Sequence, residues 1–253
     1  MRPLFLLSVL AAALASHATV CQSGQAQSGS QRVSLLELYT SEGCSSCPPL
    51  DRWLSALPGR GLATQRLVPL AFHVDYWDYI GWRDRFASPR WTQRQYERVR
   101  QSGLRSAFTP QVVLNGRDVS ANPDLGLRRA LARTEVAPVS IALQLRALGS
   151  DLDVALQVQA VGTPQSGKVY LALYENGLGS QVQAGENQGV LLRHDAVVRA
   201  LLGPWLLDQQ GRLSRRDKLP TGDVLRIEQA GAVAWVENDE GVVLQTVALP
   251  CGV

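Results

Sequence analysis

The stretch SLLELYTSEGCSSCPPLDRWLSAL, residues 34–57, joins a strand pattern, a Cys-x-x-Cys pair and a helix pattern. Residues 34–39 are an apolar run typical of a buried strand, and apolar residues at helical spacing follow the cysteines: Leu50, Trp53, Leu54 and Leu57. Cys44 and Cys47 therefore stand at a strand-to-helix junction, where two thiols can close a small disulfide ring. One sulfur can attack a substrate while the other resolves the product, so this context predicts a redox site.

The following residues extend this pattern into an α/β unit. Residues 67–74 predict a second strand, and a strand-helix-strand unit favours parallel pairing of its strands. Ser88-Pro89 is a typical helix start. Residues 111–114 predict a short strand, Asn115-Gly116 a hairpin turn and Asn122-Pro123 the start of a last helix.

Beyond residue 138 the pattern changes from mixed to β. Residues 140–148 and 152–161 alternate apolar and polar side chains, and similar short runs recur up to residue 249 between glycine and proline turns. Several such strands predict an antiparallel sandwich-like second domain over residues 138–253.

The first 31 residues predict an export signal and a tether. Arg2 precedes a short apolar segment, and small residues follow, so residues 1–18 are interpreted as a cleaved signal peptide. Residues 19–31 are rich in Gln, Ser and Gly, which predicts a flexible tether. The protein is then expected in the periplasm or outside the cell, where disulfides are permitted. A lipoprotein anchor at Cys21 is less favoured, because Val20 is a poor residue before such a cysteine.

The composition is that of an ordinary globular protein. The 253 residues are 45% hydrophobic and 19% charged, with a net charge of +3. This mild charge does not predict a nucleic-acid partner, and no later apolar run is long enough for a membrane helix. No cofactor and no metal are expected.

Several longer motifs carry a resemblance to a known family. Residues 37–49 (ELYTSEGCSSCPP) and 73–79 (HVDYWDY), together with Tyr174-Glu175-Asn176 and residues 194–199 (HDAVVR), look like an uncharacterised family of secreted bacterial thioredoxin-like proteins. The resemblance covers most of the chain. It implies a thioredoxin-like α/β domain over residues 32–135, followed by the all-β antiparallel sandwich-like domain.

The likeness to thioredoxins also implies site residues. Cys44 would attack, Cys47 would resolve, Pro110 would be a cis-proline that holds an extended substrate, and Glu37 would relay a proton to Cys47. The implied activity is thiol-disulfide exchange with protein or peptide thiols and disulfides, supported by an unidentified redox partner. The alternative for Glu37 is a strand residue that faces solvent.

Residues around this site are candidates to line it: His73, Asp75, Trp77 and Thr109. The alternative for these loop residues is a structural role, with the Trp77 and Trp82 rings packed over the sheet. Cys21 and Cys251, near the two ends of the chain, are a possible structural disulfide, although nothing in the sequence fixes their pairing.

The sequence is also compatible with two other functions. Cys44, Cys47 and His73 could form a copper or zinc site, although these are fewer ligands than a closed zinc site uses. The cysteine pair could also be a static disulfide in a non-catalytic binding protein. Finally, Arg90, Arg94 and Arg98 recur every four residues, which predicts a solvated stripe on one helix.

Overall fold

A computed structural model of the protein describes residues 23–60, 66–148, 151–221 and 226–251. Its three α-helices are α1 (Pro48–Ser55), α2 (Pro89–Gln101) and α3 (Pro123–Leu131). The strands are β1 (Ser23–Gln27), β2 (Ser34–Thr40), β3 (Leu67–His73), β4 (Gln111–Leu114), β5 (Arg117–Asp118), β6 (Val139–Leu148), β7 (Asp151–Ala160), β8 (Lys168–Glu175), β9 (Leu178–Gln181), β10 (Leu191–His194), β11 (Val197–Leu206), β12 (Arg212–Pro220), β13 (Ala230–Glu237) and β14 (Val243–Pro250).

The elements of the first half follow the sequence pattern. β2 and β3 pair in parallel, and β4 joins β2 antiparallel. Asn115 and Gly116 both adopt positive φ, as the predicted two-residue hairpin between β4 and β5 requires. Ser88 and Asn122 cap α2 and α3 with their side chains, and a proline begins each helix.

One eight-stranded sheet runs through most of the molecule. Its strand order is β14-β13-β8-β11-β3-β2-β4-β5. The junction between the halves is a parallel contact of β11 with β3, at Val197 and Ala71, which the Ala71 amide reinforces by donating to the Ala196 carbonyl oxygen at 2.8 Å. Strands from residues 34–118 and from residues 168–250 therefore share one hydrogen-bonded sheet.

This sheet shows that the predicted fold class is wrong. A thioredoxin-like α/β domain followed by a separate all-β sandwich-like domain was expected, but the described residues are mostly β, and their largest sheet combines strands of both predicted ranges. The physical reason is the free edge of β3, whose backbone donors and acceptors are satisfied by a strand from more than a hundred residues later. The residue boundaries of the predicted domains stay a prediction.

A four-stranded sheet, ordered β1-β6-β7-β12, packs on one face of the large sheet. Alternate residues of β8 point to the two faces: Val169, Leu171 and Leu173 contact the four-stranded sheet, whereas Tyr170 and Ala172 share a cluster with Trp91 of α2. At the other end of the large sheet, α1 and α3 cover β2, β3 and β4.

Part of the predicted flexible tether is a strand. Ser23–Gln27 pair with β6 over Gln27↔Ala142 to Ser23↔Arg146. The segment is polar because it lies on the edge of the sheet, half exposed, and its order comes from backbone hydrogen bonds rather than from apolar side chains. Residues 1–22, including the predicted signal peptide, lie outside the described residues. In the part that is described, no helix is long and apolar enough to cross a membrane.

A buried ionic cluster joins the two halves at α2. Arg94 Nε donates to Glu37 Oε1 at 2.6 Å, Arg98 Nε donates to Glu37 Oε2 at 2.8 Å, and both guanidinium groups also contact Glu237 of β13. The predicted solvated stripe is therefore wrong for Arg94 and Arg98, which are 4% and 1% exposed. Arg90 is the exposed member of the repeat.

Candidate functional site

Cys44 and Cys47 form a disulfide where the chain passes from β2 into α1. Their Cα atoms are 5.4 Å apart. Cys47 is the residue that precedes the helix, and Pro48 and Pro49 fill the first two helical positions, where a missing amide hydrogen costs little. The predicted Cys-x-x-Cys pair at a strand-to-helix junction is confirmed as a disulfide.

Both cysteines are buried, although the two serines between them are exposed. Cys44 and Cys47 are each 0% exposed, and Cys44 Sγ lies 3.3 Å from Ser46 Oγ. A partner sulfur cannot reach either cysteine in this conformation. Any exchange at the disulfide therefore requires the residues that cover it to move.

The connection between β9 and β10, residues 182–190, is hydrogen-bonded to the Cys-x-x-Cys turn. Asn187 Nδ2 donates to the carbonyl oxygens of Glu42 and Cys44, at 2.8 and 3.0 Å. Glu186 Oε2 accepts a hydrogen bond from the Ser45 amide at 3.0 Å, and hydrogen bonds from the Ser45 side chain and amide lower the Glu186 pKa. One loop of the second half thus contacts the first part of the Cys-x-x-Cys turn, at Cys44 and Ser45.

The Thr109–Pro110 peptide bond is cis, as the resemblance implied. Thr109 Oγ1 accepts a hydrogen bond from Trp77 Nε1 at 2.7 Å, so two of the predicted lining residues contact each other. Pro110 leads directly into β4, the neighbour of β2. The part of Thr109 and Pro110 in substrate binding stays a prediction.

Glu37 lies in the ionic cluster and is 1% exposed, so the alternative of a solvent-facing strand residue is wrong. Its described polar contacts are with Arg94, Arg98 and Tyr39. None of these contacts connects it to Cys47. The predicted relay role stays a prediction, and the two arginines give Glu37 a structural role.

Behind the Cys-x-x-Cys turn lies a buried cluster of two histidines and three carboxylates, which we call the His–carboxylate cluster. His73 Nδ1 is 2.7 Å from Asp84 Oδ2, and the His73 and His194 ring centroids are 4.8 Å apart. The other members come from either side of the cysteines: Glu42 and Asp51. All five side chains are less than 7% exposed.

His73 and Asp84 each favour the charged form of the other. Burial disfavours the cationic form of His73, but the Asp84 charge and hydrogen bond outweigh it and raise the His73 pKa. Burial likewise opposes the Asp84 carboxylate, yet the charge and hydrogen bond of His73 lower its pKa, as do the amides of Glu42 and Phe86. His73 is thus held by Asp84, within a cluster that lies beside the cysteines.

The His194 side of the cluster is less completely paired. His194 Nε2 lies 3.3 Å from Glu42 Oε1, but the groups are not aligned for a hydrogen bond, and neither His194 nitrogen has a hydrogen-bond partner among the described residues. The second Glu42 oxygen accepts from Trp82 Nε1 at 2.8 Å. His73 Nε2 is also without a described partner. Buried ring nitrogens without a partner are uncommon in folded proteins.

The remaining predicted lining residue, Asp75, lies apart from this cluster. Asp75 Oδ1 accepts a hydrogen bond from Thr92 at the start of α2. Cys21 lies outside the described residues, so its predicted pairing with Cys251 does too, whereas Cys251 is buried in the core between the sheets. Among the described residues, no group of three or more His, Cys, Asp or Glu side chains has a geometry that could hold a metal ion.

Asp51, Glu42, Asp84, His194 and Asn187 were not among the predicted site residues. A signal existed for three of them: Asp51 is an acid four residues after Cys47, between the apolar Leu50 and Leu54 of α1, Glu42 precedes Cys44 by two residues, and His194 begins the motif of residues 194–199. Asp84 and Asn187 gave no local signal, because the turn they contact is far from them in the sequence.

Residues 35–237 match the family described as "Protein of unknown function (DUF1223)". The chain belongs to this family. The resemblance to an uncharacterised family is thereby confirmed, and the matched range includes the Cys-x-x-Cys turn, the His–carboxylate cluster and the β9–β10 connection. No curated protein matches the chain.

Two solved structures are similar to this DUF1223 member. Protein AGR_C_4864 from Agrobacterium tumefaciens is 25% identical with a TM-score of 0.64, and the match covers 89% of this chain and 97% of that one. HBP35 of Porphyromonas gingivalis is 13% identical with a TM-score of 0.66, over 88% of this chain and 76% of that one. The second likeness concerns the fold alone.

Proposed function

We propose that the protein is an exported thiol-disulfide oxidoreductase that acts on protein or peptide disulfides through Cys44 and Cys47. The observation that carries this proposal is the Cys44–Cys47 disulfide at the start of α1. A three-residue separation allows the two sulfurs to open and close the ring without unfolding the chain. The signal pattern of residues 1–18 supports a periplasmic or secreted location, where an oxidised pair is stable.

The reaction is a pair of sulfur exchanges. In the reducing direction, the Cys44 thiolate attacks a substrate disulfide and forms a mixed disulfide, and one substrate sulfur leaves as a thiolate. Cys47 then attacks Cys44, which closes the ring and releases the second substrate thiol. In the oxidising direction the same steps run backward. The cis-Pro110 segment would hold the substrate backbone beside the sulfurs, and an unidentified redox partner would restore the starting state.

The burial of both cysteines favours a second candidate, a non-catalytic protein in which the disulfide is structural. In that case the β9–β10 connection would be a permanent cover rather than a movable one. The two candidates differ in one measurable quantity, the equilibrium between disulfide and dithiol in a redox buffer.

The test is equilibration of the folded protein with a series of reduced and oxidised glutathione mixtures, followed by acid quenching, alkylation and mass spectrometry of the peptide that contains Cys44 and Cys47. An oxidoreductase is expected to pass from disulfide to dithiol within the range of the buffer. A pair that stays oxidised at every ratio contradicts the oxidoreductase and supports the structural disulfide.

A trapping experiment tests the order of attack. Cys47→Ser is expected to accumulate a mixed disulfide between Cys44 and one cysteine of a peptide disulfide, whose other sulfur leaves as a thiolate, because the resolving sulfur is absent. Cys44→Ser is the matched control and is expected to trap nothing. Equal trapping by both variants would contradict Cys44 as the attacking residue.

A further inference from the structure

Asp51 and Cys47 share one buried face of α1. The Asp51 amide donates to the Cys47 carbonyl oxygen at 3.1 Å, which is the hydrogen bond of an α-helix between residues four apart. The helical arrangement therefore includes Cys47. Residues four apart on a helix lie one above the other, with their Cβ atoms roughly 5–6 Å apart. Asp51 is 6% exposed and Cys47 0%. The helical spacing therefore places a buried carboxyl-bearing side chain one turn after the resolving Cys47, on the same side of α1.

The surroundings of Asp51 are rich in groups that titrate. Asp51 Oδ2 lies 3.9 Å from His194 Nδ1, a nitrogen that has no hydrogen-bond partner among the described residues. Burial raises the Asp51 pKa, and the opposing effects of His194, His73 and a Thr40 hydrogen bond are smaller. The other charged or titratable groups on this side of α1 are Glu42, His73, Asp84 and, beyond the Phe86 ring, Arg85 and Arg199.

We propose that Asp51 gives a proton to Cys47 and takes it back during disulfide exchange, and that His194 is a positioning residue for the Asp51 carboxyl group. This inference rests on the proposed function, which it deepens by assigning the proton transfer. It uses one residue from each half of the chain, neither of which was a predicted site residue.

In the oxidising direction, Asp51 is the proton donor to Cys47. A substrate thiolate attacks Cys44 Sγ, a new disulfide bond forms between them, and the Cys44–Cys47 bond breaks. Cys47 leaves with the electron pair as a thiolate and takes the proton of the neutral Asp51 carboxyl group. The resulting carboxylate faces His194. In the reducing direction, the Asp51 carboxylate accepts the Cys47 proton as Cys47 attacks the mixed disulfide.

The first measurement is the titration of Cys47 in the reduced, full-length protein, followed by the ¹³C resonance of its Cβ atom. Asp51→Asn removes a negative charge that holds a proton on the neighbouring sulfur, so we expect the Cys47 pKa to fall by about 1. Asp124→Asn is the matched control, since the exposed Asp124 contacts Trp53 on the other side of α1. Identical Cys47 titrations in Asp51→Asn and the wild type would overturn the proposal.

The second measurement is the rate of exchange with a glutathione buffer as a function of pH. With Asp51→Asn we expect the rate to fall about a hundredfold, with no change in Asp124→Asn. If the wild-type protein exchanges no disulfide, the proposed function is wrong. The titration still tests whether Asp51 interacts with the Cys47 thiol, because it is made on protein that is already reduced.

A second variant covers the case in which Asp51→Asn does not fold. His194→Gln keeps the Asp51 carboxyl group and removes the imidazole whose electrostatic effect lowers the Asp51 pKa, so we expect that pKa, followed by the Asp51 Cγ resonance, to rise. An Asp51 titration that is the same in His194→Gln and the wild type would overturn the role of His194.

Discussion

The side-chain nitrogen of Asn187 lies 3.0 Å from the carbonyl oxygen of Cys44, although 143 residues separate them in the chain. The same nitrogen donates to the carbonyl oxygen of Glu42. One amide group of the second half therefore fixes the turn that carries the disulfide. Because this loop is bonded to the turn and Cys44 is buried, we expect the loop around Asn187 to limit the access of a partner sulfur to Cys44.

We expect Asn187→Ala to make the disulfide more accessible. The variant loses two hydrogen bonds, each worth about 1 kcal/mol, so the open form of the loop becomes at least tenfold more populated. The measurement is the rate of reduction by dithiothreitol, which should rise by about the same factor. Gln183→Ala is the control, because Gln183 is exposed and bonds within its own loop. A rate unchanged from the wild type would show that the loop is not the barrier.

The His73–Asp84 pair should give the stability a defined pH dependence. His73 has a raised pKa, so its contribution is complete below about pH 6.5 and is lost as the pH rises through the folded-state pKa. Asp84 has a lowered pKa, so its contribution is present above about pH 3.9 and is lost as the pH falls. The free energy of unfolding by urea is expected to decline on the alkaline side of pH 6.5.

Asp84→Asn tests this assignment. Removing one partner of a buried pair costs about 3 kcal/mol at pH 6, and the alkaline decline should become shallower because His73 loses its main charge partner. Asp217→Asn, at an exposed ion pair with Arg215, is expected to change the stability by less than about 1 kcal/mol. A decline that persists unaltered in Asp84→Asn would assign the pH dependence to other groups.

Glu237→Gln should weaken the connection between the halves. It removes one of the carboxylates that pair with the buried Arg94 and Arg98. Buried charges that are only partly paired lower the free energy of unfolding by about 3 kcal/mol. The Glu237 pKa is lowered, because Arg94 and Arg98 outweigh the effect of burial, so this stabilisation is lost in acid. Glu135→Gln, at a half-exposed pair with Arg32, is the control. Equal losses in the two variants would contradict a structural role for the cluster.

Glu37→Gln distinguishes a structural role of Glu37 in the ionic cluster from the predicted proton relay to Cys47. A structural role predicts a loss of stability similar to that of Glu237→Gln, with the Cys47 titration unchanged. The relay role that the sequence suggested predicts a shifted Cys47 titration as well. Both quantities can be measured on the same sample, by urea unfolding and by NMR.

Gly116 should not tolerate a side chain. Its φ is +84°, and an added Cβ would lie 2.0 Å from the carbonyl oxygen of Gly241. We expect Gly116→Ala to destabilise the protein by about 2 kcal/mol or more, since both the backbone conformation and the contact are unfavourable. Gly59→Ala, where nothing lies within 4 Å, is the control. The measurement is the urea midpoint, and similar midpoints for the two variants would refute the argument.

The sequence predicted the local elements around the cysteines well. The apolar run before Cys44, the helical spacing from Leu50 to Leu57 and the Asn115-Gly116 turn each depend on neighbouring residues, and β2, α1 and the β4–β5 hairpin follow them. The cysteine spacing was also sufficient to predict a bond between Cys44 and Cys47. These features are short-range, so the pattern of side chains along the chain determines them.

Long-range pairing was where the prediction failed. No local pattern predicts that β11 pairs with the free edge of β3. That pairing joins strands from the two expected domains into one large sheet. The burial of two arginines of the repeat on α2 was mispredicted for the same reason. The spacing of the repeat is typical of an exposed stripe. Glu37 and Glu237, which lie on two other strands, pair with Arg94 and Arg98 and make their burial favourable.

The sequence by itself therefore determined the Cys-x-x-Cys turn, the helix after it and the family. Only the tertiary structure decided what surrounds the disulfide, because Asn187, His194 and Asp84 reach it through strand pairings that no short stretch encodes. The chemistry proposed for Cys47 depends on those distant groups, since burial and neighbouring charges set how readily a carboxyl group such as Asp51 holds its proton.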